Sequence, residues 1–254
     1  MKEIIKVEKV VKIYSAFKGA KEHKALDEIS FEIFEGEFVG IMGASGSGKT
    51  TLLNILSGID RLTTGSVYIE DLDIAHLKND ELVKFRRQKI GYIFQDFNLL
   101  DSLTLKENIA LPLILDKKKP DDIEDKVLSL MEFFNIGDLS EKYQFHISGG
   151  QKQRVAAARA LVNDPLVCFA DEPTGNLDSK SSKNVMDMLT EINEKRGSTI
   201  LMVTHDPFAA SFCNKILFIK DGKLNFVVNK DKEYSRKQFF EQILELQSTL
   251  GSEE

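Results

Sequence analysis

A glycine-rich loop at residues 43–50 has the residue types and spacing needed to hold nucleotide phosphates. It matches the pattern G-x-x-x-x-G-K-[ST], in which glycines let backbone N–H groups converge on phosphate oxygens and the next helix points its positive end at them. Lys49 is expected to bridge the β- and γ-phosphates, and the Thr50 hydroxyl to coordinate Mg²⁺. An ordinary Gly/Ser turn is the alternative, but an apolar run before the loop and a helical pattern after it argue against that. The predicted binding set is Gly43, Ser45, Gly46, Ser47, Gly48, Lys49, Thr50 and Thr51.

An acidic pair, Asp171 and Glu172, follows the apolar run 166–170. A carboxylate at the end of a buried strand can hold Mg²⁺ directly or through water, and we assign this role to Asp171. Glu172 points elsewhere and can orient and polarise an attacking water. The acidic flank of a helix or turn is the alternative, and the phosphate loop upstream argues against it.

A second candidate anion site lies at Ser148, Gly149, Gly150 and Gln151. These residues precede a strong helix former, so backbone N–H groups at the helix start can face a phosphate. A plain Ser N-cap followed by flexible glycines is the alternative. If the two phosphate-binding helix ends cannot meet within one chain, they serve one ATP only from different subunits. The sequence then predicts a head-to-tail dimer with two ATP molecules between its subunits.

Two further polar residues follow apolar runs. Gln95 comes after Gly91–Phe94, and His205 comes after Met202–Thr204. Ligands of an open α/β sheet bind where its strands end, so His205 can contact the γ-phosphate there. Taken alone, Gln95 is typical of a solvated surface residue, and His205 of a structural histidine.

The composition is typical of a soluble globular protein. Of the 254 residues, 42% are hydrophobic and 29% are charged. The net charge of −6, from 34 basic and 40 acidic residues, gives no support for binding nucleic acid or an anionic membrane through charge. No apolar run is long enough to span a bilayer, and the N-terminus carries charges where a signal peptide would be apolar. We therefore expect a cytoplasmic protein that reaches a membrane only through a partner.

Periodicity predicts the elements that position these residues. Alternation indicates antiparallel strands at 3–14 and 27–39, joined by a polar loop around Lys18–Lys21. A short strand is predicted at Phe38–Met42, leading into the phosphate loop, with a helix from Thr50. Further strand-like segments lie at 166–170, which includes a buried Cys168, and at 198–204, and a hairpin at 216–228 turns at Asp221-Gly222.

A helical region is predicted from about residue 96 to 160. One helix face is formed by Ile123, Val127, Leu130, Met131 and Phe134. Pro112 and Pro120 are expected to bracket the loop before this helix, and Ser235 with Gln238 predicts a capping box that opens a C-terminal helix.

Taken together, these motifs resemble the nucleotide-binding subunit of an ABC transporter over nearly the whole chain. Their order is the phosphate loop, Gln95, the signature 147–151, Asp171-Glu172, the segment 175–178 and His205. The resemblance implies that Gln95 lines Mg²⁺ and senses the permease, and that Ser148 and Gly150 contact the γ-phosphate held by a partner copy. It also implies that Glu172 is the catalytic base, that Asp178 crosses the dimer interface and that Tyr14 stacks on adenine. Ile147 stands where leucine is commoner, and 175–178 is GNLD where SALD is commoner.

The fold implied is an α/β P-loop NTPase core with an antiparallel β subdomain and a helical insert, as one domain over 1–254. The core and β subdomain take 1–95 and 160–228, the helical subdomain about 96–159, and a helical tail 229–254. The implied cofactors are ATP and Mg²⁺. The implied partners are a multi-spanning permease, a second copy of the chain and a sensor kinase reached through the permease.

Within that family, the chain resembles the branch of macrolide-export and lipoprotein-releasing ATPases, on the segments 43–48, 85–87, 94–100 and 171–179. More narrowly, it is similar to the bacitracin-resistance type of Gram-positive bacteria, and that match extends through 203–207, 218–222 and 236–240. Two other functions remain open: an ATPase that signals through a membrane partner without transport, and a soluble ABC ATPase acting on DNA or ribosomes. The single cassette, the acidic balance and the lack of coiled-coil arms in the sequence argue against the last.

Overall fold

The computed structural model describes residues 2–15 and 22–251, and these residues form two compact units. The first unit contains the described residues of 1–82 and 199–254, and the second contains 83–198. The polar loop predicted around Lys18–Lys21 lies outside the described residues. No helix in the described part of the chain is both long enough and apolar enough to cross a membrane.

The first unit contains an antiparallel sheet in the order β2-β1-β4-β5. Its strands are β1 Glu3–Tyr14, β2 His23–Phe34, β4 Thr64–Ile69 and β5 Leu72–Asp73. The strand predicted at 3–14 is confirmed. The prediction at 27–39 merged two strands, because the chain turns between Phe34 and Phe38 with Gly36 at φ 77°. Glycine adopts this left-handed conformation without a steric penalty.

A second set of strands in the same unit leads to the phosphate loop. These strands run in the order β10-β9-β3-β8 and comprise β3 Phe38–Met42, β8 Thr199–Val203, β9 Lys215–Lys220 and β10 Lys223–Asn229. Strand β3 is parallel to both β8 and β9, and all of its residues are buried. A strand covered on both faces reads as a continuous apolar run, which is why the sequence predicted it. The hairpin with its turn at Asp221-Gly222 is also confirmed.

The helices of the first unit are α1 Lys49–Leu56, α7 Pro207–Ala210 and α8 Arg236–Gly251. Helix α8 starts at the predicted capping box: Ser235 N–H donates to Gln238 Oε1 at 2.9 Å, and Gln238 N–H donates to Ser235 Oγ at 3.3 Å. Phe239 and Ile243 on this helix are fully buried, and helices α7 and α8 pack together. The C-terminal segment of the described chain is therefore a packed part of the first unit.

The second unit pairs two parallel strands with a group of helices. The strands are β6 Ile90–Ile93 and β7 Val167–Asp171, and the helices are α3 Leu105–Leu115, α4 Pro120–Phe133, α5 Gly149–Leu161 and α6 Ser179–Arg196. Helix α2, Asn79–Lys89, contains the boundary between the units at residue 82. Helix α5 packs on α3, α4, α6 and β6, so it is the central helix of this unit.

Pro120 bounds the loop before α4 as predicted, but Pro112 does not. Pro112 lies inside α3, and Pro120 is the first residue of α4. A proline inside a helix costs about 3 kcal/mol, whereas the first helical position tolerates it. Helix α3 withstands the cost because a Thr104–Glu107 capping box fixes its start and its apolar face is buried.

Candidate active site

The phosphate loop joins β3 to α1 and needs glycine at two of its positions. A Cβ on Gly43 would lie 2.1 Å from the Ile219 carbonyl oxygen, and a Cβ on Gly48 would lie 2.5 Å from that of Ala25. Gly48 also has φ 100° and is the N-cap of α1, and it provides no side-chain cap for the first helical N–H groups. These N–H groups are suited to an anion.

Two buried polar side chains line the same loop. Lys49 is 6% exposed, and its ammonium donates to the Ala44 carbonyl at 2.8 Å. The Ser47 hydroxyl is buried and has no hydrogen-bond partner among the described residues. A buried hydroxyl without a partner is costly unless a ligand supplies one. A buried cation, an orphan hydroxyl and an uncapped helix start fit the phosphate chain of ATP.

His205 lies at the edge of the strands from which the phosphate loop emerges. Strands β3 and β8 are parallel with Ile41 opposite Val203, so their carboxyl ends share one edge. The Thr204 N–H extends this pairing by donating to the Ile41 carbonyl at 3.1 Å. His205 follows and is exposed. The first unit therefore brings His205 to the edge at which the phosphate loop begins.

Tyr14 ends strand β1, and the residue is 41% exposed. Its hydroxyl donates to Asp60 Oδ2 at 2.7 Å, and the Lys12 ammonium lies 4.6 Å from the ring centroid. Partial burial and the bond to Asp60 raise the pKa of Tyr14 above its usual value. Both neighbours fix the ring, and its predicted stacking on adenine stays a prediction.

The acidic pair and Gln95 lie at one strand edge of the second unit. Asp171 is the last residue of β7, and Gln95 follows β6 by two residues in a parallel pairing that sets Ile93 opposite Ala170. Glu172 has φ 41°, which is uncommon for a residue with a side chain. Such strain typically costs 1–3 kcal/mol and clusters at functional sites. Glu172 therefore lies in a strained turn directly after the strand that ends at Asp171.

The second unit also links the segment after β6 to the loop after Glu172, a connection that the motifs did not reveal. Asn176 Nδ2 donates to Asp96 Oδ1 at 2.8 Å. A Cβ on Gly175 would lie 3.0 Å from Gln95 Nε2, so the glycine lets the Gln95 amide approach closely. The unusual GNLD sequence was the available signal, because its first two residues make these two contacts.

The signature and Asp178 both act as helix caps. Ser148 caps α5, with its N–H donating to Gln151 Oε1 at 2.9 Å and its hydroxyl accepting from Gln151 N–H at 3.4 Å. Asp178 caps α6 through Oδ1, which accepts from the Lys180 and Ser181 N–H groups at 3.0 Å each. Its Oδ2 accepts from the Ser181 hydroxyl at 2.6 Å, and these bonds lower the pKa of Asp178. The N-cap alternative given for Ser148 is therefore what the structure shows, and capping leaves the N–H groups of Gly149 and Gly150 near the exposed end of α5. The cap formed by Asp178 was not expected from the sequence.

The donors predicted for Mg²⁺ are a hydroxyl, an amide and a carboxylate, from Thr50, Gln95 and Asp171. Magnesium is usually held by one or two carboxylates together with phosphate oxygens and waters, so oxygen donors of this kind fit an ion that arrives with ATP. The described residues contain no group of three or more His, Cys, Asp or Glu side chains that could hold a metal by themselves.

A sequence family described as ABC transporter matches residues 26–175. The chain belongs to the ABC transporter family. It is an ATPase of the ATP-binding cassette type, and the P-loop NTPase fold class predicted from the motifs is confirmed.

Relatives within the ABC transporter family match the predicted branch. The chain is 49% identical to the bacitracin export ATP-binding protein BceA of Halalkalibacterium halodurans over 235 residues, covering 92% of each chain. It is 46% identical to the macrolide export ATP-binding/permease protein MacB of Aggregatibacter actinomycetemcomitans over 206 residues, or 81% of this chain and 32% of MacB. A solved dimer of the cassette MJ0796 of Methanocaldococcus jannaschii, bound to ADP and Pi, has a TM-score of 0.80 and 40% identity, covering 89% of this chain and 98% of that one.

Proposed function

We propose that this ABC ATPase dimerises on ATP and powers a membrane permease that protects the cell from antimicrobial peptides of the bacitracin or lantibiotic type. The observation that carries the proposal is the 49% identity to a bacitracin export ATPase along 92% of both chains. Support for a permease partner comes from MacB, a relative whose name describes an ATP-binding and a permease part. The permease would hold the chain at the inner face of the cell membrane, and the sensor kinase stays a prediction.

In this proposal, one group of site residues binds ATP, and the other holds Mg²⁺ and acts on the attacking water and the γ-phosphate. The phosphate loop and Thr51 bind the phosphates, Lys49 bridges the β- and γ-phosphate oxygens, and Tyr14 stacks on adenine. Thr50, Gln95 and Asp171 hold Mg²⁺, which when bound neutralises charge on the phosphates. Glu172 accepts a proton from the attacking water, and His205 contacts the γ-phosphate.

A second copy of the chain would complete each site in this proposal. Ser148 and Gly150 lie at the start of a 13-residue helix, Ser148 as its N-cap, which suits them to bind the γ-phosphate held by the partner copy. Asp178 would cross the interface between the copies. The solved dimer of MJ0796 supports this arrangement, since that protein is 40% identical and was captured with ADP and Pi.

A groove of roughly 260 Å³ on the second unit is the surface we propose for the permease. Tyr92 and Phe94 form an aromatic pair with centroids 4.2 Å apart, and burial raises the pKa of Tyr92. Leu115 lines the groove and is 53% exposed. Its remaining lining residues are Arg87, Ile90, Asn98, Leu111, Pro112, Arg159, Ala160 and Asn163. An apolar groove bordered by arginines suits a short amphipathic helix with acidic ends, and we propose that a cytoplasmic helix of the permease binds there.

The apolar residues that follow Gln95 could either dock a partner or belong to the core. Leu99 is 7% exposed and belongs to the core, whereas Leu100 is 45% exposed and is accessible to a partner.

Growth under peptide challenge tests the proposal. Cells whose own copy is deleted would express wild-type protein, Glu172→Gln or Lys49→Ala at equal levels and be exposed to bacitracin and to a lantibiotic. We expect wild type alone to restore growth.

In the purified proteins, Glu172→Gln should retain ATP binding while hydrolysis falls by about 10²–10⁴-fold, because the general base is lost. Lys49→Ala should lose tight ATP binding.

A second pair of variants tests whether the permease binds at the groove. Leu115→Asp should abolish resistance while ATP hydrolysis by the purified protein persists, whereas Leu128→Asp on α4, at a side chain 46% exposed and outside the groove, should change neither. Resistance that survives in Glu172→Gln would favour an ATPase that signals without transport. Failure of the wild type to protect against either peptide would contradict the proposed substrate class while leaving the ATPase intact.

A further inference from the structure

Gln153 on helix α5 is the most conspicuous unexplained polar group in the second unit. The residue is fully buried, and neither its Nε2 nor its Oε1 has a hydrogen-bond partner within the described part of the chain. Buried amides are nearly always paired, since an unmade bond costs most of the desolvation penalty. We therefore expect another conformation in which the Gln153 amide forms its hydrogen bonds.

Two close contacts define how helix α5, which carries Gln153, runs relative to strand β6 and the residues after it. A Cβ on Gly91 in β6 would be 2.6 Å from the Ala160 carbonyl oxygen, and one on Gly149 would be 3.9 Å from Phe97 Cζ. Helix α5 thus runs antiparallel to the segment 91–97. Gln153 follows Gly149 by four residues and shares its face, about 6 Å along the helix axis. Its position along α5 therefore falls between the levels of Phe97 and Gly91, within the stretch that includes Gln95.

The segment 95–98 contacts the loop 175–178 and contains strained backbone. Asn176 bonds Asp96, and Leu177 lies against Gly149, since a Cβ there would be 3.0 Å from Leu177 Cδ2. Phe97 and Asn98 have φ of 62° and 47°. Left-handed conformations of residues with side chains persist only where the surrounding structure imposes them, and they recur at switch regions.

We propose that Gln153 is a positioning residue whose amide bonds the backbone of the segments 95–98 and 175–178 when ATP closes the dimer. In this structure the Gln153 amide makes neither hydrogen bond. Closure of the dimer would form both bonds and so hold Gln95 and Asp178 in the positions needed for hydrolysis. The inference rests on the roles given to Gln95 and Asp178 in the proposed function.

The test is Gln153→Met, which keeps the side-chain volume and removes the amide. Because it removes an unsatisfied group, the melting temperature without nucleotide should rise by about 2–4 °C. The kcat for ATP hydrolysis should fall about tenfold to a hundredfold through misplacement of the catalytic groups. The KM for ATP should stay within about twofold, because the phosphate loop is untouched.

Gln242 on α8 supplies the matched control. Its Oε1 is also buried without a partner among the described residues, yet it lies in the C-terminal helix, away from any proposed site residue in sequence. Gln242→Met should keep kcat and KM at wild-type values and should not lower the melting temperature.

Two results would overturn the inference. One is an unchanged kcat in Gln153→Met. The other is a fall of several degrees in melting temperature or a failure to fold, since either would show that the amide is already bonded within the resting fold. Wild-type protein and Glu172→Gln, measured in the same assay, keep the two proposals separate. If Glu172→Gln still hydrolyses ATP, the proposed base is wrong, whatever Gln153→Met does.

Discussion

At the scale of single residues, Gly48 links the backbone of the phosphate loop to nucleotide binding. It combines φ 100° with a close approach to the Ala25 carbonyl. We expect Gly48→Ala to cost about 1–3 kcal/mol of folding free energy through overpacking. Because the loop must shift to relieve the overlap, ATP affinity should fall by at least about tenfold, or 1.4 kcal/mol. Equilibrium ATP binding and urea unfolding check both numbers.

The control for this prediction is Gly137→Ala. Gly137 has no positive φ, and no atom lies within 4 Å of the position that its Cβ would take. This variant should bind ATP with wild-type affinity and unfold at the wild-type urea concentration. Wild-type ATP affinity in Gly48→Ala would contradict the account of the loop.

The sequence motifs could point to individual site residues where one chemical role requires one residue type. The phosphate loop and the acidic pair could be found because glycine, lysine and carboxylates are needed there at fixed spacing. Gln153 and Asn176 could not be found in this way, because their interest comes from burial and from contacts between distant segments. The left-handed backbone at Glu172 was likewise invisible in the sequence, since residues with side chains rarely adopt it.

At the scale of elements, an ion pair joins helices α2 and α3. Arg87 Nε lies 2.5 Å from Asp116 Oδ1, and the Asp116 side chain is only 3% exposed. Arg87→Met would leave that carboxylate buried without its cation, so the free energy of unfolding should fall by about 3 kcal/mol. Urea unfolding at pH 7 measures the loss.

An exposed pair in the same unit is the comparison. The Glu124 side chain that pairs with Lys106 is 53% exposed, and exposed pairs contribute about 0–1 kcal/mol. Lys106→Met should therefore change the unfolding free energy by less than about 1 kcal/mol. An equal loss of unfolding free energy in Arg87→Met and Lys106→Met would show that the burial of Asp116 does not strengthen its ion pair.

Elements with a strong period or a defined turn were predicted correctly, as the hairpin around Asp221-Gly222 and the capping box at Ser235 show. Errors came where tertiary packing outweighed local signals. Pro112 was expected in a loop but lies within α3, because burial of Leu105, Ile109 and Leu113 offsets the lost hydrogen bond.

At the scale of the whole molecule, each unit contains one fully buried thiol. Burial raises the pKa of Cys168 to about 12 and raises that of Cys213 as well, far above about 8.5 for an exposed thiol. Below about pH 8.5 the folded and unfolded chains both keep these protons. Above it only the unfolded chain releases them, so the free energy of unfolding should fall by about 1.4 kcal/mol per pH unit for each thiol.

Urea unfolding between pH 8 and 10 measures this effect. The variant with Cys168→Ala and Cys213→Ala starts less stable, because small cavities form, but its stability should decline less steeply with pH than that of wild type. Parallel declines would show that the thiols do not contribute to the pH dependence.

For the whole molecule, the order of motifs identified the family, and the family model that matches residues 26–175 confirms it. The same order could not reveal the groove around Tyr92 and Leu115, which is formed by side chains from three separate segments, 87–98, 111–115 and 159–163. Surfaces of this kind depend on how elements pack, and no local spacing encodes them.

The most direct measurement is the recovery of tagged Glu172→Gln protein from native membranes in the presence of ATP, with identification of what copurifies. The variant should hold ATP without hydrolysing it and so retain its partners. The account predicts a multi-spanning permease, lost when Leu115→Asp is added to the same protein and retained with Leu128→Asp. Recovery of the tagged protein without any membrane partner would contradict the account.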